Sequence, residues 1–219
     1  MTSMDLLIWA RGTGMQIALA IFVLGSLFRI IGIFMLGRKQ DLSRPRGGMW
    51  IPGLKTIVRR SWTDRGTLRR SPLTFFAGYI FHVGFLLTLL FYAPHVLFFK
   101  SILGFGWPGL PTGLIEILAV LSIGALVALL VHRIVDPVRR LLSNFQDYYS
   151  WTVTTLPLVT GYWALNAGGT NYTLVLALHI LSVELLLASI PFTKLIHTFT
   201  FLIARWYNGA IAGRRGVEA

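Results

Sequence analysis

The chain has 219 residues, 55% of them hydrophobic and only 13% charged, against about 25% charged in an ordinary soluble domain. With a mean hydropathy of +0.68, it has too little polar surface for a globule in water, so its apolar runs are read against a hydrocarbon core about 30 Å thick. The absence of cysteine excludes disulfides, thiolate metal centres, iron–sulfur clusters held by this chain and covalent CxxCH haem. A redox centre would have to rest on histidine.

The net charge of +12 is not spread as a nucleic-acid interface would spread it. Ten of the twenty Lys and Arg residues lie between Arg38 and Arg70, beside apolar spans, which is the pattern of loops on the cytoplasmic side of a membrane.

In chain order, the first predicted span is 15–36, with Arg29 inside it. It is of spanning length and lacks a small-residue cleavage site, so no cleavable signal peptide is expected. A basic loop at about 37–71 follows, carrying Arg38, Lys39, Arg44, Arg46, Lys55, Arg59, Arg60, Arg65, Arg69 and Arg70 with Trp50 and Trp62. Basic residues interleaved with tryptophans suit either anionic headgroups or a cytoplasmic subunit. The second span, 73–99, holds His82, Pro94 and His95; the third, 112–133, ends in VHRIVDP with His132. Beside Arg133, His132 reads as a snorkelling interfacial residue. The fourth span, 150–165, is short and leans on Tyr148, Tyr149 and Trp151 at its edge. The fifth, 172–203, is long enough to tilt or overhang and contains His179, Glu184, Lys194 and His197.

Arg139 and Arg140 in the 3–4 loop and Arg205, Arg214 and Arg215 in the tail fall on the same side as the basic loop; only Arg11 and Lys100 fall opposite. The expected architecture is a single all-α membrane domain over 1–219, a bundle of five transmembrane helices with the N-terminus outside and the C-terminus cytoplasmic.

Ionisable side chains inside a membrane are costly and therefore informative. His179 and His197 are 18 residues apart, which on one continuous helix is five whole turns and about 27 Å, so both would face one way at two depths. His82 and His95 lie at about the same two depths on the antiparallel second span. The depths pair His82 with His197 towards the cytoplasm and His95 with His179 towards the outside, as two bis-histidine haems would require. On an ideal helix His82 and His95 would not share a face, and Pro94 is the residue that could unwind the chain between them. Gly78 and Gly84 flank His82 and would let a flat macrocycle approach.

Three segments carry a family resemblance: H-x17-H ending in PFTKLIH (191–197), FHVG (81–84) and GSLFR (25–29). Together with the five spans, they make the chain resemble the gamma subunit of respiratory nitrate reductase and its relatives. Those relatives include the membrane cytochromes of dissimilatory sulfite-reduction and heterodisulfide-reductase-type complexes. The 136–150 segment, DPVRR followed by LS and DYYS, is weakly similar to the sulfite-reduction branch. The second histidine of span two comes about three residues later than in nitrate reductase, the basic loop is longer, and no equivalent of the quinol-site lysine stands at 113–116. These departures favour a relative over a true nitrate reductase subunit. The resemblance implies two haem b groups, ligated by His82 with His197 and by His95 with His179. It also implies quinol oxidation near the outer haem and electron transfer to a cytoplasmic iron–sulfur subunit that serves a separate terminal catalytic subunit. The location implied is the cell inner membrane.

Arg29 and Lys194 are candidate partners for haem propionates, which need cations. Glu184 suits a proton path or a bond to a neighbouring helix, and Glu116 with Tyr92 suits the lining of a quinone pocket. The alternative is a small proton-coupled transporter with intramembrane histidines, which predicts paired broken helices and internal symmetry.

Overall fold

Capping residues fix where the helices begin. Thr2 and Asp5 form a reciprocal capping box for α1 (Ser3–Trp9), with Thr2 N–H donating to Asp5 Oδ2 at 2.8 Å and Asp5 N–H to Thr2 Oγ1 at 3.2 Å. A π-wound turn, Ala10–Gly14, joins α1 to α2 (Met15–Met35), and the whole run Ser3–Met35 is 33 residues. At about 1.5 Å per residue that is about 50 Å, more than a bilayer core needs. The computed structural model describes residues 2–36, 42–168 and 172–217; Arg38 and Lys39 of the basic loop lie outside them.

The rest of the basic loop folds into α3 (Trp50–Arg59) and α4 (Arg65–Arg70), the latter capped by Asp64. Then come α5 (Pro72–Phe91), α6 (Ala93–Leu103), α7 (Thr112–Val135), α8 (Pro137–Leu142), α9 (Phe145–Asn166), α10 (Tyr172–Ser189) and α11 (His197–Arg214). No strand occurs among the described residues. Among the described residues, four runs are long and apolar enough to cross a membrane: Ser3–Met35, Pro72–Phe91, Thr112–Val135 and Tyr172–Phe192. The expected fourth span corresponds to α9, which has the length at 22 residues but not the apolarity of those four. Its threonines are masked by their own backbone: Thr154, Thr155 and Thr160 donate to the carbonyls of Ser150, Trp151 and Leu156 at 2.7, 2.8 and 2.7 Å.

The packing order is α5 on α7, α7 on α9, α9 on α10, and α10 on α1 and α2. Contacts are made by small residues, as expected where lipid offers no hydrophobic drive between helices. Ala77, Ala119, Ala125, Ala177 and Ser122 are buried, and Gly84 lies directly against Ser122 of α7. Gly84 therefore serves helix packing, while a Cβ on Gly78 would meet nothing within 4 Å. Large apolar side chains face outward; Phe28 is 78% exposed and Leu24 67%.

Two of the predicted spans are broken, one of them at Pro94, the residue expected to unwind it. The second span stops at Phe91, Tyr92 is extended (φ −70°, ψ 128°), and α6 starts afresh with Pro94 in its first turn. Proline lacks the N–H that would have bonded back to a helical carbonyl, and buried carbonyls must find other donors. Leu90 O accepts from Trp107 Nε1 at 2.7 Å and Phe91 O from Leu110 N–H at 2.8 Å. Gly104, in the left-handed region at φ 81°, ends α6 and turns the chain back to make those bonds.

The last span also departs from the single straight helix the sequence suggested. It breaks after Ser189 into two short 3-10 turns, Ile190–Phe192 and Lys194–Ile196, before α11. Pro191 disrupts the α-helical ladder, and Thr193, fully extended, caps the second turn through Leu195 N–H at 3.3 Å. His179 and His197 thus sit on two helices, so the whole-turn argument for a shared face does not apply.

α11 turns to pack on α3. Gly209 and Gly213, a GxxxG pair, lie against Pro52 and Thr56, and Gly53 faces the Trp206 indole. Arg46 N–H donates to Arg214 O at 2.7 Å, and the Trp50 and Trp206 rings meet at 5.2 Å, tilted by 55°.

Candidate functional site

The structure brings the four span histidines together as two pairs. His82 on α5 stands 6.4 Å, ring centre to ring centre, from His197 at the start of α11, with ring planes at 76°. His95 on α6 stands 6.1 Å from His179 on α10, with planes at 20°. The pairing matches the depth argument although both breaks alter how it is reached.

Each ring is oriented through Nδ1. His82 Nδ1 bonds Gly78 O at 2.7 Å, His95 Nδ1 bonds Thr88 O at 3.0 Å, and His197 Nδ1 bonds Lys194 O at 2.8 Å. These partners are carbonyls, so Nδ1 is the donor and Nε2 carries the lone pair. Two of the bonds sit at the breaks: Thr88 O is within reach of His95 because α6 folds back at Tyr92, and Lys194 O, in the 3-10 turn, accepts from both the backbone N–H and the ring Nδ1 of His197. His179 Nδ1 lies 3.3 Å from Thr160 Oγ1, which also bonds Ser182 Oγ at 2.9 Å. Outer partners of this kind, holding the ring through one nitrogen, are characteristic of metal-binding imidazoles.

The spacing fits a metal between the rings. Two imidazoles on opposite sides of one iron, with bonds of about 2 Å and each ring centre about 1 Å behind its nitrogen, have centres about 6 Å apart. No group of three or more His, Cys, Asp or Glu side chains converges among the described residues. The chain alone therefore offers only two ligands per site, a set that suits a planar tetradentate macrocycle better than a bare ion. The open space at Gly78, one turn before His82, leaves room beside the first pair.

The two pairs differ in surroundings. His82 and His197 are exposed; His95 and His179 are half-buried. Tyr92 stands edge-on to His95 at 5.2 Å.

Thr160, Gly161 and Ser182 are positioning residues that the sequence analysis missed. A Cβ on Gly161 would lie 2.9 Å from His179 Cε1, so this glycine makes the room the ring occupies. A glycine directly after a mid-span threonine was the available signal.

The other candidates are placed as follows. Lys194 Nζ bonds both carboxylate oxygens of Asp147 at 2.8 Å, and Arg133 reaches the same carboxylate at 3.4 Å. Its charge is thus already engaged, joining the α10–α11 turn to the start of α9. Arg29 is exposed on α2, one turn beyond Gly25, which packs on Pro191. His132 is half-buried in the last turn of α7, near Asp136 and apart from both pairs. Glu116 is half-buried on α7. Glu184 is buried on α10 and faces Gly14 of the π turn.

A protein of Nitratidesulfovibrio vulgaris (strain Hildenborough), described only as "Protein", is 37% identical over 142 residues, 64% of this chain. The aligned region spans 62% of that relative's length. No family model matches the chain, and no solved structure matches it.

Proposed function

We propose that the chain is a dihaem b-type cytochrome, the membrane anchor of a respiratory oxidoreductase that passes electrons between the quinone pool and a cytoplasmic iron–sulfur subunit. The observation that carries this reading is the double pair: four imidazoles, each oriented through Nδ1, set two by two at 6.4 and 6.1 Å. His82 with His197 would hold one haem and His95 with His179 the other. Bound haem iron supplies reversible one-electron chemistry; the chain supplies ligation, spacing and polarity.

In this reading α9 is the fourth of five spans in chain order, its threonine hydroxyls satisfied internally, and the basic segment with the tail lies on the cytoplasmic side of the cell inner membrane, leaving the N-terminus outside. The His95–His179 pair is then the outer site, nearer the quinol, and the His82–His197 pair the inner one. His197 of the inner pair begins α11, the helix that seats α3, and in this reading a cytoplasmic subunit would approach from that side. Trp50, Ile51, Leu54 and Val58 of α3 are exposed on one side, next to Lys55 and Arg59, as on a helix lying in anionic headgroups. The terminal catalytic site belongs to another subunit.

One observation favours a second reading. Two broken helices beside intramembrane histidines are also a transporter feature. A pyridine haemochrome assay on the purified chain, produced with ample haem, separates the two. The cytochrome reading expects two haems b per chain. A folded protein with none refutes it and leaves the transporter.

A further inference from the structure

Glu184 is 7% exposed, and its Oε1 has no hydrogen-bond partner among the described residues. Nothing in the histidine pairs uses it. A buried carboxyl oxygen without a partner carries an uncompensated desolvation cost, so its retention needs a reason.

The carboxyl lines a groove of about 230 Å³ between α1–α2 and α10, walled by Trp9, Ile17, Ile21, Leu181 and Leu185. The groove lies where the first helix is π-wound, at Ala10–Gly14, a distortion that recurs at functional sites. Gly14 makes the space: a Cβ there would stand 2.9 Å from both Glu184 oxygens and from the Trp9 ring. Ile17 and Ile21 are 51% and 37% exposed, so the groove opens sideways on the bundle surface that lipid would cover.

These features specify the ligand class. The volume is below the about 300 Å³ at which sites for drug-sized molecules begin, which suits one small ring system. The walls are apolar, with one aromatic face and a single polar group at the floor. The lateral opening lets an apolar tail stay in the hydrocarbon. Carboxyl oxygens accept hydrogen bonds, and the protonated form also donates, so one group can bind either a carbonyl or a hydroxyl at a ring edge. On its helix Glu184 is five residues from His179, about 7.5 Å along the axis.

We propose that this groove binds the headgroup of an isoprenoid quinone, with Glu184 as its hydrogen-bonding residue and Trp9 as its ring wall. The assignment rests on the quinone-linked reading above and moves the quinone pocket from Tyr92 and Glu116 to the groove that α10 forms with α1 and α2.

The test uses the purified full chain in lipid nanodiscs and dicyclohexylcarbodiimide, an apolar reagent for protonated carboxyls in membranes, read by the mass of the peptide containing Glu184. The expected result is modification of Glu184, slowed at least five-fold by saturating short-tailed menaquinone. Glu184→Gln, which preserves shape, should weaken menaquinone binding at least ten-fold while the haem content stays unchanged. No modification, or modification at an unchanged rate under saturating quinone, overturns the proposal. The haem count on the same preparation separates the two claims: two haems without protection refute the groove alone, and protection without haem refutes the cytochrome alone.

Discussion

Replacing Gly161 with Ala tests the placement of His179 through a single methyl group. The new Cβ would lie 2.9 Å from His179 Cε1, 3.2 Å from Nδ1 and 3.6 Å from Nε2, whereas ordinary contact begins at 3.4 Å. The ring must retreat by about 0.5 Å, which is the positional tolerance of a preorganised site. The Thr160 contact, already 3.3 Å, would stretch beyond hydrogen-bonding range. Loss of such an outer partner costs about 10–100-fold in metal affinity, equivalent to about 1.4–2.8 kcal/mol. On the proposed two-haem reading, Gly161→Ala should therefore lose the haem at His95–His179 and retain the other, giving one haem per chain and one wave in a redox titration. Gly124→Ala is the control, because a Cβ there meets nothing within 4 Å; it should retain both haems. Two haems with unchanged potentials in Gly161→Ala would refute the assignment of His179 as a ligand in this position.

Further outcomes follow from other contacts. Gly213→Leu places a side chain where Pro52 and the Gly48 carbonyl already stand, so α3 should detach from α11 and limited trypsin should cut after Arg59 and Arg60 faster than in the parent chain. In the oxidised protein, the ring planes at 76° and 20° should give two distinct low-spin ferric signals by electron paramagnetic resonance. His82→Ala should remove the more anisotropic signal and His95→Ala the other. Asp136 caps α8, and the Arg139 N–H, with weaker help from Val138 N–H and the Arg139 and His132 charges, holds its carboxyl below the ordinary value of 3.8. A depressed carboxylate contributes stability in full above its unfolded value and loses it as pH falls through the folded one. The gap in thermal midpoint between the parent chain and Asp136→Ala should thus be constant from pH 8 to about 5 and close below about 4.

Much of the site was legible because it depends on depth. Counting residues from the span ends put His82 level with His197 and His95 level with His179, and axial position survives a change in helix rotation. Pro94 also announced its break, since proline next to a histidine leaves few ways to continue a helix. Pro191 sends the same signal, but the interval of 18 residues equals five whole turns, which a continuous helix satisfies equally well. The role of Lys194 was obscured by distance along the chain: Asp147 is 47 residues away, and no periodicity reveals that pairing. α9 was the least legible of the long helices, because its threonines read as polar until their hydroxyls are seen bonded to its own carbonyls. The α3–α11 contact joins positions more than 150 residues apart, and only its GxxxG pair, Gly209 and Gly213, hints at it.

The interruption between α10 and α11 also relaxes a constraint on sequence change. In an unbroken helix, inserting one residue between His179 and His197 would swing the second ring by about 100° and advance it by about 1.5 Å. Here the second ring takes its direction from Thr193, the 3-10 turn and the seat of α11 on α3, so a residue gained or lost in the connecting turn can be absorbed locally. The interval of seventeen residues is one solution among several. A sequence pattern that demands it is stricter than the architecture requires, and would miss chains that build the same pair with a longer or shorter hinge.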